Sequence, residues 1–174
     1  MNKRKQQGVM LIEALIAILI FSLGILGMVA MGSVAIAAQS DSQYRTEAAN
    51  YANEIVSEMA IQAQAAAYNQ ATNSFTPDAA LATFAHQAVS GGYCSFAGAA
   101  STNPAVTAWV NRISGAVDVK RSLPGATNVS QQILVNQAPG GFNSVTVTIC
   151  WQPPSSAAVA FAPMHRYELV SYIN

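Results

Sequence analysis

The sequence predicts an α+β fold in which one long N-terminal helix packs on a small antiparallel sheet, accompanied by two short helices. Three patterns carry this prediction. An apolar run near the start continues into an amphipathic helical pattern, two later segments carry helix caps, and the residues after 126 alternate as strands do. A chain of 174 residues allows one ordinary domain and an appendage. We expect the apolar appendage to span residues 9–38 and the globular domain to span residues 39–174.

The first pattern is an apolar run that contains a single carboxylate. In residues 9–38 the only charged side chain is that of Glu13, and the run is longer than the roughly 20 residues that cross a bilayer. Three basic residues at positions 3–5 precede it, which predicts a cytoplasmic N-terminus and an exported domain. An acidic residue in a membrane helix costs about 2.5–3.5 kcal/mol on insertion scales, so Glu13 needs a partner or a purpose.

Two other interpretations of this run are open. A cleaved secretory signal would use the A-x-A sequence at Ala35–Ala37, although the apolar run is about twice as long as the usual 7–15 residues of such signals. A plain membrane anchor has a suitable length, but that interpretation gives Glu13 no role.

The stretch KRKQQGVMLIEALIAILIF resembles the leader and N-terminal helix of a type IV prepilin. That family has a short basic leader ending in glycine, followed by a hydrophobic helix with glutamate as its fifth mature residue. The resemblance implies that residues 1–8 are the leader, that prepilin peptidase cuts between Gly8 and Val9, and that Val9 is then N-methylated. It also implies that Glu13, the fifth residue counted from Val9, acts in subunit assembly. The sequence departs from the family at Val9, where most members have phenylalanine.

Elementary electrostatics supports the same role for Glu13. Cleavage creates a charged amine at Val9, and side-by-side packing of such helices buries that amine in an apolar bundle. A carboxylate on a neighbouring helix can neutralise the amine, and a buried pair of opposite charges is tolerated where either charge alone is not.

The helix is predicted to continue beyond the apolar run. No proline occurs from Val9 to Ala67, and the apolar residues of the second half recur three and four positions apart. We expect the following residues to form its buried stripe: Tyr44, Ala48, Tyr51, Ala52, Ile55 and Met59.

Two short helices are predicted next. In TPDAALATFAHQAVSGG a helix is capped at Thr76 and ends at Gly91–Gly92, and in NPAVTAWVNRISG a second is capped by Asn103, with Pro104 in its first turn and Gly115 at its end. Their predicted buried faces are Leu81, Phe84, Ala85, Ala88 and Val89 in the first helix and Val106, Trp109, Val110 and Ile113 in the second.

The remaining chain has the period of strands. NVSQQILVNQ, NSVTVTICWQ and RYELVSYI each alternate, and the second does so best. The sequence APGGF indicates a turn between the first two strands, and a longer connection follows the second. We expect an antiparallel meander of three or four strands packed on the long helix.

Two cysteines, Cys94 and Cys150, fall in the predicted exported domain. In an oxidising compartment such a pair is expected to form a disulfide. The alternative, two free buried thiols, is open at this point.

The sequence predicts neither an enzyme nor a cofactor or metal site. His86 and His165 lack the ligand spacings of structural zinc sites and lie in no nucleophile motif such as G-x-S-x-G. We expect His86 on a solvated helix face and His165 at a strand edge. Removing residues 1–8 takes away three of the eight basic residues and leaves five positive against eight negative charges. The five are scattered, so we expect no nucleic-acid partner.

Within the pilin superfamily, the later residues resemble the PilV-type minor pilins. The resemblance lies in the order of a helix bearing Trp109, the sequence LPG at residues 123–125, and VTVTICWQ at residues 145–152. It implies the pilin fold and a low-abundance subunit that helps prime assembly of a type IV pilus and is incorporated at or near its tip. The implied partners are prepilin peptidase, other minor pilins, the major pilin, the assembly platform in the inner membrane, and a tip adhesin.

The resemblance also implies a location and leaves two alternatives. It implies a Gram-negative bacterium, with the subunit in the inner membrane and its domain in the periplasm before assembly, and in the extracellular pilus afterwards. One alternative is a minor pseudopilin of a type II secretion system, which neighbouring genes would distinguish. The other is a bitopic envelope protein that never polymerises, which removal of the leader would distinguish.

Overall fold

The computed structural model describes residues 7–69, 74–75, 78–115, 123, 125–138, 142–154 and 163–173. The basic leader residues at positions 3–5 and the predicted cap at Thr76 lie outside these ranges. The chain divides into two compact units, Met1–Ser42 and Gln43–Asn174.

The structure is α+β, with a long N-terminal helix and small antiparallel sheets. Its elements in chain order are α1 (Gln7–Ala67), β1 (Tyr68–Asn69), β2 (Ser74–Phe75), α2 (Asp78–Ala82), β3 (Val89–Gly92), β4 (Ser95–Ala97), α3 (Pro104–Ser114), β5 (Thr127–Asn136), β6 (Ser144–Gln152) and β7 (His165–Tyr172). The predicted long helix is confirmed as one unbroken element of 61 residues. By length and composition, α1 is able to cross a membrane, and it is the one helix with that property among the residues that the structure describes.

The part of α1 in the second unit supplies one wall of the hydrophobic core. Its buried residues follow the predicted spacing of three and four positions, because each such step returns to the same helix face. The buried stripe consists of Tyr44, Ala48, Ala52, Ile55, Met59 and Ala63. Tyr51 is partly buried beside this stripe, so the predicted stripe is confirmed.

The predicted meander is confirmed as the antiparallel sheet β5–β6–β7. Alternate residues of the central strand, Val145, Val147, Ile149 and Trp151, are fully buried and join the core stripe of α1 in a single cluster. This face of the sheet, which we call the inner face, therefore packs on the helices. The opposite face we call the outer face.

The helix α3 closes the core, and its predicted caps are confirmed. The side chain of Asn103 accepts a hydrogen bond from the backbone N–H of Ala105 at 2.9 Å, and Gly115 ends the helix in the left-handed conformation at φ 72°. The indole N–H of Trp109 donates to the carbonyl oxygen of Tyr51 at 2.8 Å. This bond satisfies the one polar group of a fully buried side chain and ties α3 to α1.

The predicted helix that ends at Gly91–Gly92 is wrong in its second half. The helix α2 stops at Ala82, and the chain then forms an isolated antiparallel bridge between His86 and Ile133 of β5. The N–H of His86 donates to the carbonyl oxygen of Ile133 at 3.1 Å, and the N–H of Ile133 donates back at 3.0 Å. These two bonds join residues that are 47 positions apart in the sequence, and they replace the local helical bonds that the pattern predicted.

The predicted burial of this segment is also right in its first half and wrong in its second half. Leu81 and Phe84 are fully buried, as predicted for the first helix face, and Ala85 is partly buried. Ala88 and Val89 were predicted to be buried and are exposed, because Val89 begins strand β3 and not a last helical turn. The hairpin of β3 and β4 and the short pair β1–β2 were not predicted.

We predict that Asn103→Ala lowers the free energy of unfolding by about 1 kcal/mol or more, because an N-cap contributes about 0.5–2 kcal/mol. The variant also removes the bond that the Asn103 amide donates to Thr83 Oγ1 at 2.9 Å. Chemical denaturation of the full chain in detergent micelles measures the change. Asn111→Ala, the same substitution within α3, is the matched control and should change stability by less than about 0.5 kcal/mol. Equal effects of the two substitutions would contradict the capping role.

Candidate functional site in the N-terminal helix

The candidate site occupies the first two turns of α1. The backbone of Gly8 and Val9 is helical, and Glu13 follows four positions after Val9, so the two positions lie on the same side of the helix, about 6 Å apart along its axis. A carboxylate at this position suits a pairing with a positive charge on a helix that lies beside α1 and is offset by about one turn. Such a pairing involves no other part of the chain that carries the carboxylate.

The surroundings of Glu13 are apolar and exposed. The neighbouring large side chains are 52–73% exposed: Met10, Leu11, Ile12, Leu15 and Ile16. From position 10 to position 36 every described side chain is exposed, and Glu13 is the only charged one. Within the described residues Glu13 makes no hydrogen bond or ion pair.

The predicted disulfide is confirmed between Cys94 and Cys150. Cys94 lies in the turn between β3 and β4, and Cys150 lies fully buried in the central strand β6. The bond joins residues 56 positions apart, and the described part of the chain has no free cysteine. Two free thiols, the alternative that the sequence left open, are thereby excluded.

The expectation of a solvated His86 is wrong. The side chain is 6% exposed, because the bridge to Ile133 draws the residue against β5. Its Nδ1 accepts a hydrogen bond from the backbone N–H of Ser101 at 3.2 Å. Burial lowers the pKa of His86, since the charged imidazolium loses its hydration. His86 is therefore a neutral acceptor that holds the loop before α3.

His165 lies where the sequence predicted, at the start of the edge strand β7. Its ring centroid is 5.8 Å from that of Trp151 on the neighbouring strand. Within the described residues no group of three or more His, Cys, Asp or Glu side chains is arranged to hold a metal ion.

A surface cleft of about 220 Å³ lies between α1 and α3. Its lining residues are Glu54, Ile55, Glu58, Ala105, Ala108 and Arg112. Arg112 pairs with Glu54 at 2.6 Å across the cleft, and Glu58 accepts a bond from Gln62 at 2.8 Å. Both partners of the ion pair are about two-fifths exposed, so the pair contributes at most about 1 kcal/mol. The ion pair between Arg112 and Glu54 thus adds a weak polar contact to the packing of α3 on α1.

Comparisons of the chain with protein-family models, with curated proteins and with solved structures give no match. Sequence reasoning located Glu13 and the cysteine pair, but it missed Gln132 and Ser130, whose side chains bind the hairpin that carries Cys94. A glutamine and a serine in an alternating strand give no signal of that kind until the strand's partner is known.

We predict that His86 makes the domain less stable in acid. The unfolded chain binds a proton near pH 6.5, whereas folded His86 binds one only at lower pH. Its contribution is therefore fully present above about pH 6.5 and is lost as the pH falls below that value. Denaturation of the full chain in micelles between about pH 5 and pH 8 measures this dependence. His86→Gln should flatten the acid side of the curve, and an unchanged curve in that variant would contradict the assignment.

Proposed function

We propose that this chain is a minor pilin, a subunit that helps prime assembly of a type IV pilus and is incorporated at or near its tip. The observation that carries the proposal is Glu13, a lone carboxylate in an exposed apolar helix, five residues into the chain that begins at Val9. In a bilayer alone such a carboxylate has no function, and it raises the free energy of membrane insertion by about 2.5–3.5 kcal/mol. A bundle of identical or related helices gives it a partner.

The exposure of the first unit supports this proposal. The side chains from position 10 to position 36 are apolar almost throughout and exposed on all sides of α1. Such a surface suits lipid before assembly and the apolar sides of neighbouring helices afterwards, because the two environments have similar polarity. In the second unit, a helix packed on an antiparallel sheet is compatible with the layout of a pilin domain.

The proposed mechanism begins with removal of the leader by prepilin peptidase between Gly8 and Val9. The amine released at Val9 is positively charged and cannot be left unpaired inside an apolar bundle. In the assembled filament it meets the glutamate of an adjacent helix, while Glu13 meets the amine of another subunit. Loss of one partner of a buried pair costs about 3–5 kcal/mol, so the pairing favours helices in the correct axial offset and disfavours others.

This mechanism also bears on the position of the subunit. A subunit with nothing above it in the filament has no amine for its glutamate to meet. Retention of Glu13 therefore suggests that another subunit lies above this one, near the tip rather than at its end. The partners in this account are other minor pilins, the major pilin and the assembly platform of the inner membrane.

We predict that the mature protein begins at Val9. In cells with active prepilin peptidase, mass spectrometry of membrane-extracted protein should find loss of residues 1–8 and one methyl group on the Val9 amine. Gly8→Leu should leave the leader in place, since a bulky side chain replaces the glycine before the cut. An intact Met1 terminus in the unaltered protein would exclude the pilin interpretation.

We predict that Glu13→Ala blocks assembly and leaves folding intact. Insertion into the membrane should persist, because the helix becomes more apolar by the same amount of about 3 kcal/mol that the carboxylate cost. The Cys94–Cys150 disulfide and the thermal stability of the domain should be unchanged. What should fall is the amount of this subunit in sheared pili, together with surface piliation.

Two further variants control this experiment. Glu13→Gln keeps the size of the side chain and removes its charge, so it should fail as Glu13→Ala does. Ile12→Ala alters the neighbouring position without touching a charge and should assemble normally. Recovery of Glu13→Ala in sheared pili at the normal amount would show that the carboxylate is not needed.

A further inference from the structure

The hairpin formed by β3 and β4 lies against the outer face of the sheet. The register of the sheet places Ser130 of β5 opposite Cys150 of β6, and Gln132 opposite Thr148, so these four side chains share that face. The hairpin contacts three of them, through hydrogen bonds to Ser130 and Gln132 and through the bond to Cys150. It therefore forms a third layer over one end of the sheet.

The hairpin contributes almost nothing to the hydrophobic core. No residue from 87 to 103 belongs to the core cluster or packs against it. All four residues of β3 are exposed, with Val89 at 58%, and the turn residue Tyr93 is 65% exposed. Only Phe96 of β4 is half-buried. The hydrophobic effect, which holds the helices on the inner face, gives the hairpin little attachment.

The noncovalent attachment of the hairpin is polar and sparse. Gln132 donates to the carbonyl oxygen of Gln87 at 2.7 Å and accepts from Ser90 Oγ at 3.2 Å. Ser130 Oγ donates to the carbonyl oxygen of Cys94 at 3.2 Å. The hydroxyl of Tyr93 donates to the carbonyl oxygen of Met164 at 3.4 Å. Each such bond stabilises a structure by only about 0.5–1.5 kcal/mol, because water can replace it.

The one strong attachment is the bond from Cys94 to Cys150. Its two ends differ in what holds them. Cys150 belongs to the central strand, which pairs with β5 along one side and β7 along the other, whereas Cys94 belongs to an exposed two-stranded hairpin. When the bond is cut, Cys150 stays fixed by the sheet and Cys94 is held by little besides the bonds named above.

We propose that the β3–β4 hairpin is a strap latched over the sheet by the Cys94–Cys150 disulfide, and that it opens as a unit when a dithiol reduces that bond. The rest of the domain stays folded, because the second half of α1, α3 and the sheet form their core without the hairpin. Opening uncovers Gln132, which is 2% exposed when the strap is closed and bonds to Gln87 and Ser90 of the strap segment. The strap is a redox-operated cover for the outer face.

The chemistry of opening is a two-electron exchange. A thiolate of the dithiol attacks the sulfur of Cys94, the half-buried end of the bond, and the thiolate of Cys150 leaves. The second thiol of the reagent then attacks the reagent's first sulfur in the mixed disulfide, and the thiolate of Cys94 leaves. The dithiol becomes a cyclic disulfide, and two electrons and two protons pass to the two cysteines.

Hydrogen exchange on the full chain in detergent micelles, with and without dithiothreitol, tests the proposal. Amides of residues 87–98 should exchange at least about tenfold faster after reduction, because a two-stranded hairpin released from the sheet is only marginally stable in water and its own hydrogen bonds then open. Amides of residues 44–63 in α1 and of β6 should change by less than about twofold. The fluorescence of Trp109 and Trp151, both fully buried in the core, should keep its blue-shifted maximum.

The double variant Cys94→Ser/Cys150→Ala is the matched control. It should show the open pattern without reductant and should not respond to dithiothreitol, which excludes an effect of the reagent on the micelle. Faster exchange of α1 and β6 together with the hairpin would show that the disulfide supports the whole domain, and would overturn the proposal. Unchanged exchange of residues 87–98 would also overturn it, since the polar contacts alone would then hold the strap.

Discussion

The packing of one stripe of α1 against the central strand β6 is the contact on which the rest of the domain depends. Ala48, Ala52 and Met59 on the helix and Val147 and Ile149 on the strand are completely buried in one cluster. The helix α3 then closes this core through Trp109, whose indole N–H binds the backbone of α1. The inner face of the sheet, α3 and Leu123 all contribute buried apolar residues to the same cluster.

The same helix meets two different requirements along its length. In the second unit only one face is apolar, because water covers the other side. In the first unit apolar side chains are exposed on every side, which is the pattern of a helix that meets lipid or other helices. Glu13 breaks that pattern once. A charged group in such a surface needs a partner or a purpose, and we propose that its partner is the amino terminus of another subunit.

The sequence predicted the elements whose cause is local, and it failed where the cause is distant. The stripe of α1, the caps Asn103 and Gly115, and the alternation of β6 are each determined by residues within a few positions, and all three are found. The segment after Ala82 has the same helical pattern, yet His86 pairs with Ile133 of β5, and that pairing overrides the local preference. The hairpin that follows is short and exposed, and its residues do not alternate between apolar and polar. Its sequence therefore contains no periodic signal that predicts strands. At the candidate site, the spacing of Gly8, Val9 and Glu13 is visible in the sequence, whereas the partners that we propose for them lie on other chains and leave no signal in this one.

The central claim is that Glu13 pairs with the amine of a neighbouring subunit, and zero-length cross-linking tests it most directly. An apolar carbodiimide applied to sheared pili joins a carboxylate to an amine only where the two are in contact. Mass spectrometry of the digested pili should find an amide bond between Glu13 and the N-terminal residue of another pilin, and pili that were not treated with the carbodiimide should not give this product. Recovery of Glu13 solely as the carbodiimide adduct, with the neighbouring amines unmodified, would contradict the pairing.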